Sequence, residues 1–111
     1  MDSKSLISEM NRGFLQLLVL SCCAETEIHG YGLIKKINGL GYAIEENSLY
    51  PLLRRLAEKN FLETSWQIEN DRPKKVYKIT EGGRVVLGEL VNIRENQNEI
   101  LRKVWGGDED E

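Results

Sequence analysis

Four leucines between residues 47 and 56 constrain the fold more than any other stretch of the chain. Their spacing of three and four residues forms one apolar stripe along a helix. The four are Leu49, Leu52, Leu53 and Leu56. Ser48 precedes the stripe and is expected to cap the helix, and Pro51 is expected in the first turn, where a missing N–H breaks no bond. We therefore predict a short helix over residues 48–59 that packs on a core.

The opposite side of this predicted helix is polar and cationic. Its outer face is expected to carry Tyr50, Arg54, Arg55 and Glu58, and its opening residues Asn47 and Ser48 are small hydrogen-bonding side chains. A helix with one apolar side and one hydrogen-bonding, cationic side fits the major groove of DNA, where side chains read base edges. It is equally compatible with an ordinary surface helix whose arginines are solvated. The neighbouring elements must decide between the two interpretations.

Two alternating runs follow the helix, on either side of the turn-forming segment 69–73. In the first run one parity contains Leu62, Thr64, Trp66 and Ile68. Such alternation around an Asn/Asp/Pro turn predicts a β-hairpin. Its tip carries Arg72, Lys74 and Lys75, which would lie along phosphates. A bare surface hairpin is the simpler interpretation, but helix, helix and hairpin in this order form a winged helix.

Two more helices are predicted before the leucine stripe. The first, over residues 5–24, has so broad an apolar face that burial on more than one side is expected, which suggests a partner chain. The second covers residues 31–40, with His29 at its cap position. No nucleophile or carboxylate partner accompanies His29 in the sequence, so a cap is favoured over a catalytic base. Residues 42–44 are interpreted as a link or a one-bridge strand.

A long last helix is predicted over residues 81–105, with Thr80 as its cap. An a/d heptad seam with one polar position runs along it. The seam contains Val86, Leu90, Ile93, Gln97, Ile100 and Val104. Because such a seam at the end of a small domain needs a second helix, we predict an obligate homodimer. Residues 106–111 contain no apolar side chain and are predicted to be a disordered acidic tail.

The 111 residues therefore predict an α+β, mostly helical fold. Residues 1–80 would form a winged helix-turn-helix domain, and residues 81–105 a long dimerisation helix. No apolar run approaches the roughly 20 residues of a membrane span. The first residues lack the apolar region and cleavage site of a signal peptide. We expect a cytoplasmic protein with no membrane partner.

The charge of the chain is distributed unevenly. Its net charge of −3 argues against a simple cationic nucleic-acid binder. Residues 47–84, however, contain eight basic and five acidic side chains, whereas residues 1–46 and 85–111 are both net acidic. The positive charge is thus confined to the predicted helix and wing, as a localised contact with an anionic polymer requires.

The sequence offers no set of groups for catalysis. Cys22 and Cys23 are adjacent rather than a CxxC pair, and His29 is the single histidine, so buried thiols are favoured over a metal or redox site. There is no nucleophile–base set, metal cluster or phosphate loop. We predict that the protein is not an enzyme and has no metal and no cofactor.

Three motifs resemble the PadR family of bacterial transcriptional regulators. They lie at residues 29–32 (HGYG), 48–56 (SLYPLLRRL) and 72–84 (RPKKVYKITEGGR). The resemblance runs over most of residues 13–90 and implies a winged helix-turn-helix dimer that represses promoters and responds to small molecules. The single last helix resembles the short PadR subfamily. Asn47 departs from the family pattern, which usually has Gly at this position.

The resemblance also implies an effector, with flat hydrophobic cations or phenolic compounds as its class. The residues expected to line its site are Phe14 and Leu18 of one chain with Val91 and Trp105 of the other. Plain interface packing by these four is the competing interpretation, because apolar side chains at helical spacing usually form core. The predicted function is a DNA-binding regulator acting as a homodimeric repressor on a double-stranded operator. The alternative is a winged-helix protein-interaction module that binds no DNA.

Overall fold

A computed structural model of the protein describes residues 2–106. Apart from Gly106, the predicted acidic tail therefore falls outside the described residues. Four helices and three strands follow one another along the chain. They are α1 (Lys4–Glu25), β1 (Ile28–His29), α2 (Gly30–Gly39), α3 (Glu46–Glu58), β2 (Leu62–Glu69), β3 (Arg72–Ile79) and α4 (Glu81–Trp105). This order confirms the predicted α+β winged helix-turn-helix fold, with α2 and α3 as the helix pair and the β2–β3 hairpin as the wing.

The three strands form one antiparallel sheet in the order β1-β3-β2. The hairpin pairs without interruption from Leu62 opposite Ile79 to Glu69 opposite Arg72. Its turn consists of Asn70 and Asp71, both at positive φ (55° and 63°), as a two-residue type I′ turn requires. The predicted hairpin is confirmed.

The third strand was not expected from the sequence. β1 contributes two residues, and both pair with β3 in the middle of the sheet. Two residues are too few to show a period-two pattern. The one-bridge strand considered for residues 42–44 is wrong, since this segment contains no strand.

The start of α3 differs from the prediction. The helix begins at Glu46, and the Ser48 amide donates to the Glu45 carbonyl at 3.0 Å. Ser48 is therefore inside the helix, and its predicted role as the cap is wrong. The buried Ile44, whose amide donates to Asn38 Oδ1 at 2.9 Å, holds the chain just before this early start. Pro51 consequently lies in the second turn, where its ring removes one backbone hydrogen bond.

Two helix caps agree with the sequence. His29 Nδ1 accepts a bond from the Gly32 amide at 3.1 Å, which confirms a capping role. Thr80 Oγ1 accepts from the Gly83 amide at 2.9 Å and donates to the Asn60 carbonyl at 2.7 Å. Thr80 therefore joins the start of α4 to the loop that ends α3.

The core lies between α1, α2, α3 and the sheet. The four leucines of α3 are all buried in it, as predicted. Cys22 and Cys23 are free, buried thiols, and burial raises the pKa of Cys23 to about 12. Leu87 and Leu90 of α4 pack against this core, but residues 95–106 are all exposed. Within residues 2–106 no helix is long and apolar enough to cross a membrane.

Candidate nucleic-acid interface

The exposed side of α3 lies between two grooves. Asn47, Ser48, Arg54 and Arg55 are all exposed on it. Arg54 and Arg55 are neighbours on the helix and diverge by about 100° around its axis. As a result, each arginine lines a different groove.

The first groove separates α3 from the hairpin and is called the wing groove here. It has a volume of about 350 Å³. The residues lining it are Tyr50, Arg54, Ala57, Glu58, Thr64, Lys75 and Tyr77. Its two cations, Arg54 from the helix and Lys75 from the wing, belong to different elements. Glu58 is the acidic residue among those that line it, so the charge of the lining is net positive. The groove therefore combines two cations with three hydroxyl groups, which are the donors that a phosphate accepts from.

The tyrosines of the wing groove remain protonated. Tyr50 was expected on the outer side of α3, but it is half-buried and its ring lies against Gly30 of α2. Burial is the main cause that raises the pKa of Tyr50, and the nearby Glu46 carboxylate raises the pKa further. Burial likewise raises the pKa of Tyr77, against the opposing effect of Arg54. Both phenols thus keep the proton that a hydrogen bond to an anion needs.

The second groove separates α3 from α1 and is called the α1 groove here. It has a volume of about 720 Å³. Arg55 and Ser48 line it from α3, and Arg12 lines it from α1. Glu45 is the acidic residue among those that line it. Sequence patterns did not indicate Arg12, because its proximity to Arg55 arises only when α1 packs beside α3.

The cations of the wing divide between its two faces. In an antiparallel pair, residues opposite each other share a face. Lys75 shares a face with Tyr77 and turns toward α3, whereas Arg72 and Lys74 belong to the other face. Lys74 is half-buried and its Nζ lies 3.4 Å from Glu69 Oε1. The predicted wing residues are therefore close together along the hairpin but do not form one cluster.

The residues of the predicted dimer seam fall into two groups. Val86 and Leu90 are half-buried within their own chain. The remaining four positions are exposed, and they are Ile93, Gln97, Ile100 and Val104. A second exposed apolar surface lies at the start of α1 and contains Leu6, Ile7 and Met10.

The four predicted effector residues are not brought together within one chain. The Phe14 ring lies 5.2 Å from the Tyr42 ring and carries the Arg94 guanidinium 5.4 Å from its centroid. Leu18 on α1 and Val91 on α4 are half-buried. Trp105 is 74% exposed at the end of α4, about 16 Å along the helix axis from Arg94 at 1.5 Å per residue. A site that includes Trp105 with Phe14 would need the Trp105 of a second chain.

No metal centre is visible in the described part of the chain. Residues 2–106 contain no group of three His, Cys, Asp or Glu side chains that could hold a metal ion. The described structure therefore consists of a winged helix with an exposed α3, two grooves beside it and a protruding last helix. These features define a protein with a winged helix-turn-helix fold.

Comparison with known proteins identifies the family. Residues 19–89 match the model of the transcriptional regulator PadR-like family. The chain is similar to transcriptional regulator Rv3488 of Mycobacterium tuberculosis, with 32% identity over 99 residues that cover 89% of this chain and 90% of that protein. The chain belongs to the PadR-like family. Because this family consists of transcriptional regulators, the prediction that the protein is not an enzyme is confirmed.

Solved structures show the same fold. A PadR family transcriptional regulator from Eggerthella lenta superposes with a TM-score of 0.83 and is 34% identical, covering 95% of this chain and 93% of that one. Bacillus subtilis PadR in complex with operator DNA superposes with a TM-score of 0.65 and is 22% identical. That comparison covers 70% of this chain and 46% of that one.

Proposed function

We propose that this PadR-family regulator binds double-stranded DNA with α3 in the major groove. The observation that carries the proposal is the pair of cationic grooves on the two sides of α3. Arg54 and Lys75 line one groove, and Arg12 and Arg55 line the other. A helix in the major groove has a phosphate backbone on each side, and each backbone would enter one groove.

The roles of the individual residues follow from this arrangement. Asn47 and Ser48, exposed in the first turn of α3, face the base edges. Arg54, Arg55 and Lys75 contact phosphates, together with Arg72 and Lys74 at the wing tip. The Tyr50 hydroxyl donates a hydrogen bond to the DNA from within the wing groove rather than from the outer face of α3. The related fold of Bacillus subtilis PadR, which was crystallised with operator DNA, supports this use of the domain.

The alternative is a winged-helix module that binds another protein. An adaptor of this kind would be favoured by an acidic or apolar outer face on α3. The exposed face carries Arg54 and Arg55 instead, beside the cations of α1 and the wing. We therefore favour DNA over a protein partner.

We further propose that residues 81–105 make the protein a homodimer, with residues 1–80 as the DNA-binding domain. The exposed seam of α4 and the exposed start of α1 are both apolar and uncovered in the single chain. In a two-fold dimer the end of one α4 would pack against the α4 and the α1 start of its partner. Burial of Ile100, Val104 and Met10 would stabilise the dimer, at roughly 1.5–3 kcal/mol for each fully buried side chain.

A dimer of this kind requires a pseudo-palindromic operator. Its half-sites should be centred about 10 bp apart or at a multiple of that distance. We propose that the protein represses transcription by occupying a promoter. A small hydrophobic effector would bind between Phe14 and Leu18 of one chain and Val91 and Trp105 of the other. Effector binding would release the DNA if the effector favours a distance between the two α3 helices that does not match the spacing of the operator half-sites.

The proposal is tested by sequencing the genomic DNA fragments that the purified protein retains. Fragments that share a two-fold-related motif support it. The same selection with an Arg54→Ala, Arg55→Ala variant controls for background retention and should recover no motif. Retention of the same fragments by both proteins, or of random fragments by the wild type, would refute specific DNA binding by α3.

A further inference from the structure

The end of the wing carries two large apolar side chains that the core does not cover. Leu62, Tyr77 and Ile79 anchor the hairpin in the core, but Trp66 is 67% exposed and Ile68 is 79% exposed. Both lie on β2, which is an edge strand of the sheet. An exposed Trp on an edge strand favours aggregation with other chains. We therefore expect a binding partner that covers Trp66.

The pairing of the strands determines which way these side chains face. Trp66 lies opposite Lys75, and Thr64 lies opposite Tyr77. Because alternate residues of a strand share a face, Trp66 and Ile68 continue the face that lines the wing groove. The apolar pair is therefore on the α3 side of the wing, beside the groove cation Lys75.

We infer that Trp66 and Ile68 form an apolar contact with the minor groove of the bound DNA. The inference rests on the proposed binding of α3 in the adjacent major groove. The wing extends away from α3 along the same surface, so its end meets the next groove of the duplex. Minor-groove-binding proteins place apolar side chains in the minor groove, while neighbouring cationic side chains contact the phosphates beside it.

The charges around the pair favour DNA over a protein as the occupant. Lys75 lies directly across the ladder from Trp66, and Arg72 and Lys74 lie within three residues of Lys75 on the same strand. Lys74 is held by Glu69 on the reverse face, which leaves Lys75 on the face of Trp66. An apolar side chain flanked by cations is complementary to sugars flanked by phosphates.

The experiment uses the full chain with Trp105→Phe, so that Trp66 is the single tryptophan. The probe is a duplex recovered from the genomic selection. We expect the Trp66 emission to change on titration with this duplex. We also expect Trp66→Ala to lower the affinity about tenfold, as the loss of one buried aromatic contact predicts. The slope of affinity against salt should stay the same, because no cation is lost.

Two control variants show whether the aromatic ring at position 66 is what DNA contacts. Trp66→Phe keeps an aromatic ring and should retain most of the affinity. Leu40→Ala removes a similarly exposed apolar side chain, 64% exposed at the end of α2, and should leave the affinity unchanged. Since both sites are exposed, neither substitution should unfold the domain.

Three results would overturn the inference. If the duplex binds but neither the emission nor the affinity depends on Trp66, the wing contact is wrong while DNA binding by α3 stands. If the emission depends on protein concentration in the absence of DNA, Trp66 contacts protein instead. If the wild type binds no selected duplex at all, the proposed function itself fails.

Discussion

The ring of Tyr50 lies directly against the backbone of Gly30, so that a Cβ at Gly30 would approach Tyr50 Cε1 to 2.5 Å and its hydroxyl to 2.6 Å. Gly30 is the first residue of α2, and Tyr50 belongs to α3. This contact joins the two helices of the helix-turn-helix pair. It also explains why Tyr50 turns away from the outer face of α3 and into the wing groove.

Gly30→Ala should therefore displace the Tyr50 ring. The clash involves the far end of a side chain, which can move, so we expect a modest loss of stability of about 1 kcal/mol. Duplex affinity should fall several-fold, because Tyr50 leaves the wing groove. Thermal unfolding and duplex titration together measure the two effects. Gly39→Ala, in the same helix with no atom within 4 Å of the added Cβ, should leave the affinity unchanged and should not destabilise the domain, since Ala favours a helix over Gly by up to about 1 kcal/mol.

Gly83 makes a closer contact, and here the neighbour cannot move. A Cβ at Gly83 would lie 2.2 Å from the Phe61 carbonyl oxygen, which is backbone. We expect Gly83→Ala to lower the free energy of unfolding by about 3 kcal/mol, at the upper end of overpacking effects. Gly82→Ala is the matched control, since its nearest neighbour is 3.8 Å away. Equal melting temperatures for the two variants would contradict the close packing of α4 on the loop after α3.

Much of this fold could be predicted from the sequence, because its strongest signals are local. The leucine stripe of α3, the Asn70-Asp71 turn and the Thr80 cap each depend on residues close together in the chain. The start of α3 could not be predicted, because Ile44 and Asn38 fix it through a contact outside the helix. Periodicity suggested a cap at Ser48, and the tertiary contact overrode it.

The candidate site was predicted less completely than the fold. The cations of α3 and the wing were visible as a basic segment, but Arg12 belongs to a net acidic segment and joins the site only through packing. The period-two pattern of β2 indicated that Trp66 and Leu62 share one face of the sheet. It did not indicate at which residue along the strand the core ends. Which strand residues are exposed depends on how far α3 covers the sheet, and no local pattern contains that information.

Arg12 provides a test of the α1 groove. If Arg12 contacts a phosphate, Arg12→Ala should weaken binding to all duplexes alike and lower the slope of log affinity against log salt by about one. Lys4→Ala removes the same charge from the same helix, outside the groove, and should leave the slope unchanged. A slope that is equal for both variants and the wild type would remove Arg12 from the interface.

The exposed half of the α4 seam tests the homodimer. Ile100→Glu should dissociate the dimer with the domain still folded, because Ile100 is exposed in the single chain and a buried charge is costly. Leu90→Glu should also unfold the domain, since Leu90 packs on its core. Asn98→Glu adds the same charge off the seam and should remain dimeric. A wild type that is monomeric by light scattering at micromolar concentration would contradict the dimer.

The salt dependence of duplex binding tests the central claim, that α3 binds DNA between two cationic grooves. The comparison uses Arg54→Ala, Lys75→Ala, which removes both cations of the wing groove, and Lys35→Ala, Lys103→Ala, which removes two exposed cations elsewhere. The first pair should lower the slope of log affinity against log salt by about two, and the second should leave it near the wild-type value. Equal slopes in all three proteins would contradict the claim.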